Sequence, residues 1–167
     1  MDELVVWLRD QLDRDEQIAY AVDDSLGEVD LTWKYEPEDE LGGKVVTTRG
    51  ADVIYDVTTG VGEHVAEHSP RRVLCEIQND REMLRQYERL LRAQARHAEA
   101  QAELAADFER HEHTGSWEGP GDPESRARAL RREADYLPAM LVVMEGWVRR
   151  KAAVYADRPG YSEDWRP

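Results

Sequence analysis

Two long amphipathic patterns joined by a short loop fill the second half of the chain and restrict its fold most strongly. Ser69 and Pro70 open the first pattern, because Ser is a common helix cap and Pro fits the first helical position, where its missing N–H is not needed. The apolar spacing that follows predicts a helix to about His113 and a second helix over residues 124–156. Residues 114–123 are rich in Gly and Pro, which predicts a polar loop between the helices.

The second of these helices carries apolar residues at alternating spacings of four and three, which is a heptad seam. Two long helices joined by a tight loop bury their apolar surface best against each other, so we predict a long antiparallel helical hairpin over residues 69–157. Pro138 lies inside the seam and predicts a kink or a break near Leu137. We expect the interaction seam of the protein to consist of Leu130, Leu137, Leu141, Met144 and Val148.

The first half of the chain predicts a helix followed by a small sheet. Residues 2–24 carry one apolar stripe at helical spacing, and Asp2 can cap this helix. Short runs rich in Val, Ile, Thr and aromatic residues then predict three strands, with a short helical turn over residues 61–68. The predicted strands cover residues 28–35, 44–48 and 52–58. We expect an antiparallel meander whose apolar face is covered by the first helix.

The predicted architecture is therefore α+β. An acidic helix-plus-sheet lobe spans residues 1–68, and the long helical hairpin spans residues 69–157. Residues 158–167 hold Tyr161 and Trp165, and a tail this aromatic is expected to dock on the core. At 167 residues the three parts fit one continuous domain.

The charge of the chain is unevenly placed. The net charge is −14, and residues 1–68 alone hold 18 Asp and Glu against 5 Lys and Arg. Such a surface repels phosphates, so direct binding to DNA or RNA is not expected. A solvated face that keeps the protein in solution explains this charge most simply, and an acidic mimic of nucleic acid is the sharper alternative.

Several classes of protein are disfavoured by composition. The chain has no run of about 18 apolar residues, so we expect no membrane-spanning helix. The acidic N-terminus lacks the basic and apolar parts of a secretory signal. The single cysteine, Cys75, rules out an internal disulfide and a Cys-based zinc site. We therefore expect a cytoplasmic protein without a cofactor.

One short motif suggests metal chemistry. His64, Glu67 and His68 follow the spacing H-x-x-E-H, in which two imidazoles bind zinc and the carboxylate acts as general base. A third ligand would have to come from elsewhere, for example from His97. Five residues of this kind also arise by chance in a chain with five His and 36 acidic residues. Packing or capping where two helices meet is the simpler interpretation of both histidines.

Cys75 lies beside the apolar stripe of the first long helix, and we expect a buried, unreactive thiol. A nucleophilic role would need a paired imidazole, which His64 or His68 could supply. His111 and His113 lie near the predicted end of that helix, where cations suit the helix dipole.

Three segments of the chain resemble one family. The segment EHVAEHSPRRVLCEI is similar to its middle signature, YADRPGYSEDWRP is similar to its ending, and LVVWLRDQLDRDEQIAYA is similar to its first helix. The family is an actinobacterial and actinophage group, domain-of-unknown-function family 6221, and the resemblance implies a phage or chromosomal setting but no reaction. In the middle signature the matching residues are His64, Ala66, Pro70, Arg72, Val73, Leu74 and Glu76.

We therefore expect a small acidic interaction protein that is not an enzyme and that binds a protein partner or forms a homo-oligomer. The motivation is that helices longer than their own core requires leave apolar surface to bury. The alternatives are an acidic nucleic-acid mimic that inhibits a DNA-binding partner, and a metal-dependent hydrolase that uses His64 and His68.

Overall fold

The computed structural model describes residues 3–26, 31–117 and 119–167. They fall into two compact units, Met1–Glu82 and Met83–Pro167, and one long helix contributes to both. The architecture confirms the predicted α+β class, with an N-terminal helix, a three-stranded antiparallel sheet and a pair of long helices. No helix among the described residues is long and apolar enough to cross a membrane.

The first helix, α1 (Glu3–Leu26), follows the predicted apolar stripe. Leu4, Leu8 and Leu12 repeat every four residues, so they lie on one face, and all three are buried. Full burial of one leucine side chain contributes roughly 1.5–3 kcal/mol to folding. Asp2, the predicted cap, lies outside the described residues.

The sheet consists of β1 (Trp33–Pro37), β2 (Gly42–Thr47) and β3 (Asp52–Thr58), in the order β1-β2-β3 with both pairs antiparallel. This is the predicted meander, although β1 begins later than predicted and residues 28–30 lie outside the described residues. In the central strand Val45 and Val46 are both buried, although neighbouring strand residues normally face opposite sides. The register shifts on each side of Val45, and such an irregularity re-aims a side chain.

The short helix α2 (Thr59–Glu67) approaches all three strands. The absence of a side chain at Gly62 makes this possible, because a Cβ there would meet the ring of Tyr35 at 2.3 Å. The hydroxyl of Tyr35 in turn donates to Thr59 Oγ1 at 3.2 Å. The sequence pattern predicts that the first helix covers the apolar face of the sheet. It does not predict the packing of α2 on the strands.

The long helices begin close to where the sequence predicts. α3 (Pro70–Thr114) starts at the proline, and α4 (Pro123–Ala153) starts after Asp122, whose carboxylate accepts a hydrogen bond from the Ser125 N–H at 2.8 Å. Hydrogen bonds from the side chain and the backbone N–H of Ser125 hold the pKa of Asp122 below its ordinary value. Of the kink or break predicted near Leu137, the break does not occur, since α4 continues through Pro138, which is exposed.

α3 and α4 form the predicted antiparallel hairpin. Asp107 near the end of α3 pairs with Arg126 near the start of α4 at 2.8 Å. Further from the loop, His97 of α3 pairs with Glu133 of α4 at 3.1 Å. The earlier of the two α3 residues pairs with the later of the two α4 residues, so the two helices are antiparallel.

Candidate functional site

The two histidines of the H-x-x-E-H motif stack on each other at the end of α2. Their ring centroids lie 4.3 Å apart with the planes tilted by 36°, and both side chains are exposed. Nδ1 of His68 donates to the carbonyl oxygen of His64 at 2.9 Å, an arrangement that caps the helix end. The carboxylate of Glu67 pairs instead with Arg72 at 3.0 Å.

A metal site at this motif would need further ligands. Among the described residues no group of three or more His, Cys, Asp and Glu side chains could hold a metal ion. The geometry that is present therefore shows a capped and stacked histidine pair. The zinc hypothesis stays a prediction from sequence.

Cys75 is exposed, and the expectation of a buried thiol was wrong. The neighbouring apolar residue that is buried is Ile77, two positions further along α3. Two residues turn a helix by about 200°, so the thiol lies on nearly the opposite side from Ile77. Cys75 lies between apolar residues of the stripe in the sequence, but it is on a different face of α3.

His97, considered above only as a distant ligand, takes part in a polar contact between the hairpin helices. Its side chain is 9% exposed, and Nδ1 lies 3.1 Å from a carboxylate oxygen of Glu133. A buried polar group needs a hydrogen-bonding partner, so this contact favours one register of α3 against α4. The two residues are 36 positions apart, and no local pattern indicates that they meet.

The tip of the hairpin is held by a second polar cluster. Asp107 is 7% exposed, and its carboxylate accepts hydrogen bonds from Arg110 and Arg126. The indole N–H of Trp117 donates to the Gly121 carbonyl at 2.9 Å and folds the loop back on itself. A Cβ at Gly119 would lie 2.6 Å from both Asp107 and the Trp117 ring, so only glycine fits there without displacement. The cluster fixes the loop.

The predicted interaction seam forms one face of α4, which we call the inner face: Leu130, Leu137, Leu141, Met144 and Val148. Leu137, Leu141 and Val148 are buried, with exposed fractions of 8% or less. Leu130 lines a cavity of about 260 Å³ with Leu104 and Phe108 of α3. The inner face is therefore largely covered by the protein's own chain.

A second apolar face of α4 is exposed, and the sequence analysis did not identify it. This outer face consists of Tyr136, Met140, Val143, Trp147 and Val154, the last just beyond the helix end. Tyr136 is 50% exposed, Met140 47% and Val143 67%, and Trp147 is partly exposed. These residues follow the same four-three spacing as the inner face, shifted by one position, which turns the face by about 100°. A search for the four-three apolar spacing that starts from each residue of α4 in turn would have found the outer face.

A comparison with known protein families finds a match over the whole chain. Residues 1–167 match the family described as "Family of unknown function (DUF6221)". The chain belongs to this family. The resemblance found from the three sequence segments is thereby confirmed. No curated protein and no solved structure matches the chain.

The ending that resembles the family signature folds back onto the end of α4. Tyr155 is 7% exposed, and the guanidinium of Arg158 lies 4.5 Å from the centre of its ring, within the range of a cation–π contact. Tyr161 and Trp165 meet edge to face at 5.9 Å. Arg149 of α4 donates to the carbonyl oxygen of Asp164 at 2.7 Å. In this DUF6221 member the signature residues of the tail therefore hold each other and the helix end.

Several acidic residues of the first unit take part in local contacts. The Asp39 carboxylate accepts hydrogen bonds from the N–H groups of Leu41 and Gly42, which hold its pKa below the ordinary value. Arg81 of α3 binds Glu16 and Asp13 of α1 at 2.5–2.8 Å. The pKa of Glu16 is lowered by this hydrogen bonding and by the guanidinium charge.

Proposed function

We propose that this DUF6221 protein is a non-enzymatic interaction protein and that the outer face of α4 is the surface through which it binds another protein chain. The observation that supports the proposal is the exposed apolar face formed by Tyr136, Met140, Val143 and Trp147. A soluble monomer rarely exposes a large contiguous apolar patch unless the patch is used for binding.

The shape of the outer face suits helix-to-helix packing. Met140 and Val143 form its centre, and the large rings of Tyr136 and Trp147 lie one turn away on either side. Side chains spaced by four and three pack as knobs into the holes of a facing helix. Burying one Val, Met or aromatic side chain fully is worth roughly 1.5–3 kcal/mol, so a few such residues provide a useful driving force.

The charge of the rest of the molecule is compatible with an exposed apolar face. A net charge of −14 keeps copies of the protein in solution through mutual repulsion, so a limited apolar surface need not cause aggregation. Binding that overcomes this repulsion then has to be specific in shape. The acidic surface acts in this proposal as a solubilising surface.

The setting of this function remains a prediction. A phage, prophage or actinobacterial origin, a cytoplasmic location and an accessory role are inferred from the family resemblance and the composition. For the two alternative functions, metal analysis of chelator-free protein tests the hydrolase. Competition with DNA for a DNA-binding protein tests the nucleic-acid mimic.

Site-specific photo-crosslinking in intact cells tests the proposal. A photoreactive amino acid replaces Val143 on the outer face, and in a matched control it replaces Gln94, an exposed polar residue of α3. We expect discrete crosslinked products from position 143 only, and mass spectrometry then identifies the captured chain. Equal products from both positions, or none from position 143, would contradict a binding role for the outer face.

A further inference from the structure

We infer that the outer face binds the same face of a second copy of this chain, with the two α4 helices antiparallel and a two-fold axis passing between Leu141 and Val142. This inference rests on the proposed function and adds the identity and orientation of the partner. It follows from the order of residues along the seam, from the charges at its ends and from the small residues on its free flank.

The order of residues along the seam is self-complementary. In an antiparallel pair centred between Leu141 and Val142, Met140 of each copy lies opposite Val143 of the other. One layer further out, Tyr136 of each copy lies opposite Trp147 of the other. Four successive layers therefore contain only apolar side chains, and the two alternating kinds of seam position meet as antiparallel heptad packing requires.

The next seam position on each side carries a charge. Glu133 precedes Tyr136 by three residues, and Arg150 follows Trp147 by three. Glu133 is 47% exposed and uses one carboxylate oxygen for His97, and Arg150 is exposed. In the antiparallel pair Glu133 of one copy lies opposite Arg150 of the other at both ends. In a parallel pair each residue would face its own kind, and like charges placed opposite each other are destabilising.

The free flank of the seam holds three small residues, with Val142 and Arg149 between them. Ala139, Gly146 and Ala153 recur every seven positions next to the outer face, on the side away from the inner face. Both Ala139 and Gly146 flank the apolar layers. Nη1 of Arg150 lies 3.3 Å from the position that a Cβ at Gly146 would take, so a second helix backbone approaches closely there when Arg150 turns toward Glu133 of the second copy. The opposite flank is the inner face, whose residues Leu137 and Leu141 are buried. A second helix can therefore approach from the small-residue side without disturbing the hairpin.

Light scattering with paired variants tests for the second copy. Met140→Glu combined with Val143→Glu places carboxylates in the centre of the seam and should weaken self-association at least tenfold. Val61→Glu is the matched control, because Val61 is 53% exposed and lies on α2, outside the proposed contact. We expect a dimer for the wild type and for the control, and a monomer for the double variant.

Distance measurements between spin labels test the orientation. Cys75 is first replaced by Ser, and single labels are then placed at Val142, beside the proposed axis, or at Arg128, fourteen residues earlier on the same side. At 1.5 Å per residue the antiparallel pair separates the two Arg128 labels by about 40 Å along the helix axis, and the Val142 labels by almost nothing. A parallel pair gives the same distance at both positions.

The outcomes separate this inference from the proposed function. A dimer with a long distance at Arg128 and a short one at Val142 supports it. Equal distances, or a dimer that the Met140→Glu, Val143→Glu variant leaves intact, overturn it. A monomer at every concentration, with crosslinks from Val143 to a different protein, overturns the second copy while the proposed function stands. Loss of every discrete crosslink from Val143 overturns both.

Discussion

The first and last long helices of the protein, α1 and α4, differ in the number of apolar faces that they carry. α1 has one, which includes Leu4, Leu8 and Leu12, and it is buried. Other apolar residues of α1 are exposed, but polar positions separate them. Val6 and Tyr20, for example, lie two heptads apart with Asp13 midway between them.

α4 carries a buried and an exposed apolar face side by side. Leu137, Leu141 and Val148 are buried, as the leucines of α1 are. The outer face is also apolar and has the same spacing, yet Val143 remains 67% exposed. One apolar face is enough to attach a helix to a core, so folding alone does not require the second. The comparison shows which part of α4 is available for contacts outside the chain.

The largest expected effect comes from adjacent substitutions on the two faces of α4. Leu141→Ala removes a side chain that is 8% exposed and should lower the free energy of unfolding by about 2–4 kcal/mol, because it leaves a cavity. Met140→Ala removes a side chain of similar size that is 47% exposed and should change it by less than about 1 kcal/mol. Urea unfolding followed by circular dichroism measures both.

These two substitutions should have the opposite ranking in self-association. Met140→Ala should weaken the dimer, whereas Leu141→Ala should leave the apolar centre of the outer face in place. Both unfolding measurements therefore belong at protein concentrations where the chain is monomeric. Similar losses of stability for the two variants would show that the outer face is part of the folded core, and the distinction between the faces would fail.

A smaller effect is expected from the polar cluster that closes the inner face at the hairpin tip. Asp107→Ala removes a carboxylate that is 7% exposed and leaves Arg126, which is 24% exposed, without its partner. We expect a loss of about 1–2 kcal/mol, because Arg126 keeps some access to water. Glu103→Ala, one turn earlier and exposed, is the control and should stay within about 0.5 kcal/mol of the wild type. Equal values for the two variants would show that the apolar contacts close the hairpin unaided.

Local rules predicted the element boundaries that depend on neighbouring residues. The start of α3 at Pro70 follows from the fixed backbone of proline, and β3 covers residues 52–58 as the β-branched run indicates. A break at Pro138, one of the two predicted outcomes, was wrong because the helix continues on both sides of the proline. The simultaneous burial of Val45 and Val46 depends on the register with β3, which no local pattern encodes.

The candidate surface was harder to predict than the fold, for a physical reason. Both faces of α4 have apolar residues at the same spacing, and the sequence does not state which face the rest of the chain covers. That choice depends on contacts such as His97 with Glu133, which join residues 36 positions apart. The predicted seam identified the helix, and only the packed structure separates the inner face from the outer face.

The smallest expected effect concerns the ion pairs that join α1 to α3, where the covered face of α1 meets solvent. Arg81 holds the pKa of Glu16 below its ordinary value, so the pair stabilises the folded state fully above the ordinary carboxyl pKa. That stabilisation is lost as the pH falls through the lowered pKa of the folded state. Glu16→Gln should therefore reduce stability by about 0.5–1 kcal/mol at neutral pH, and the difference from the wild type should vanish in acid.

The control for this prediction is Asp10→Asn, an exposed position on the same helix. Thermal unfolding of the wild type and both variants across a pH series gives the comparison. Asp10→Asn should leave the stability close to that of the wild type at neutral pH, because no contact with Arg81 is lost. A Glu16→Gln difference that stays constant with pH would show that the effect comes from side-chain packing. The contact between α1 and α3 at this position would then be stabilised by packing, with no measurable contribution from the charge of Arg81.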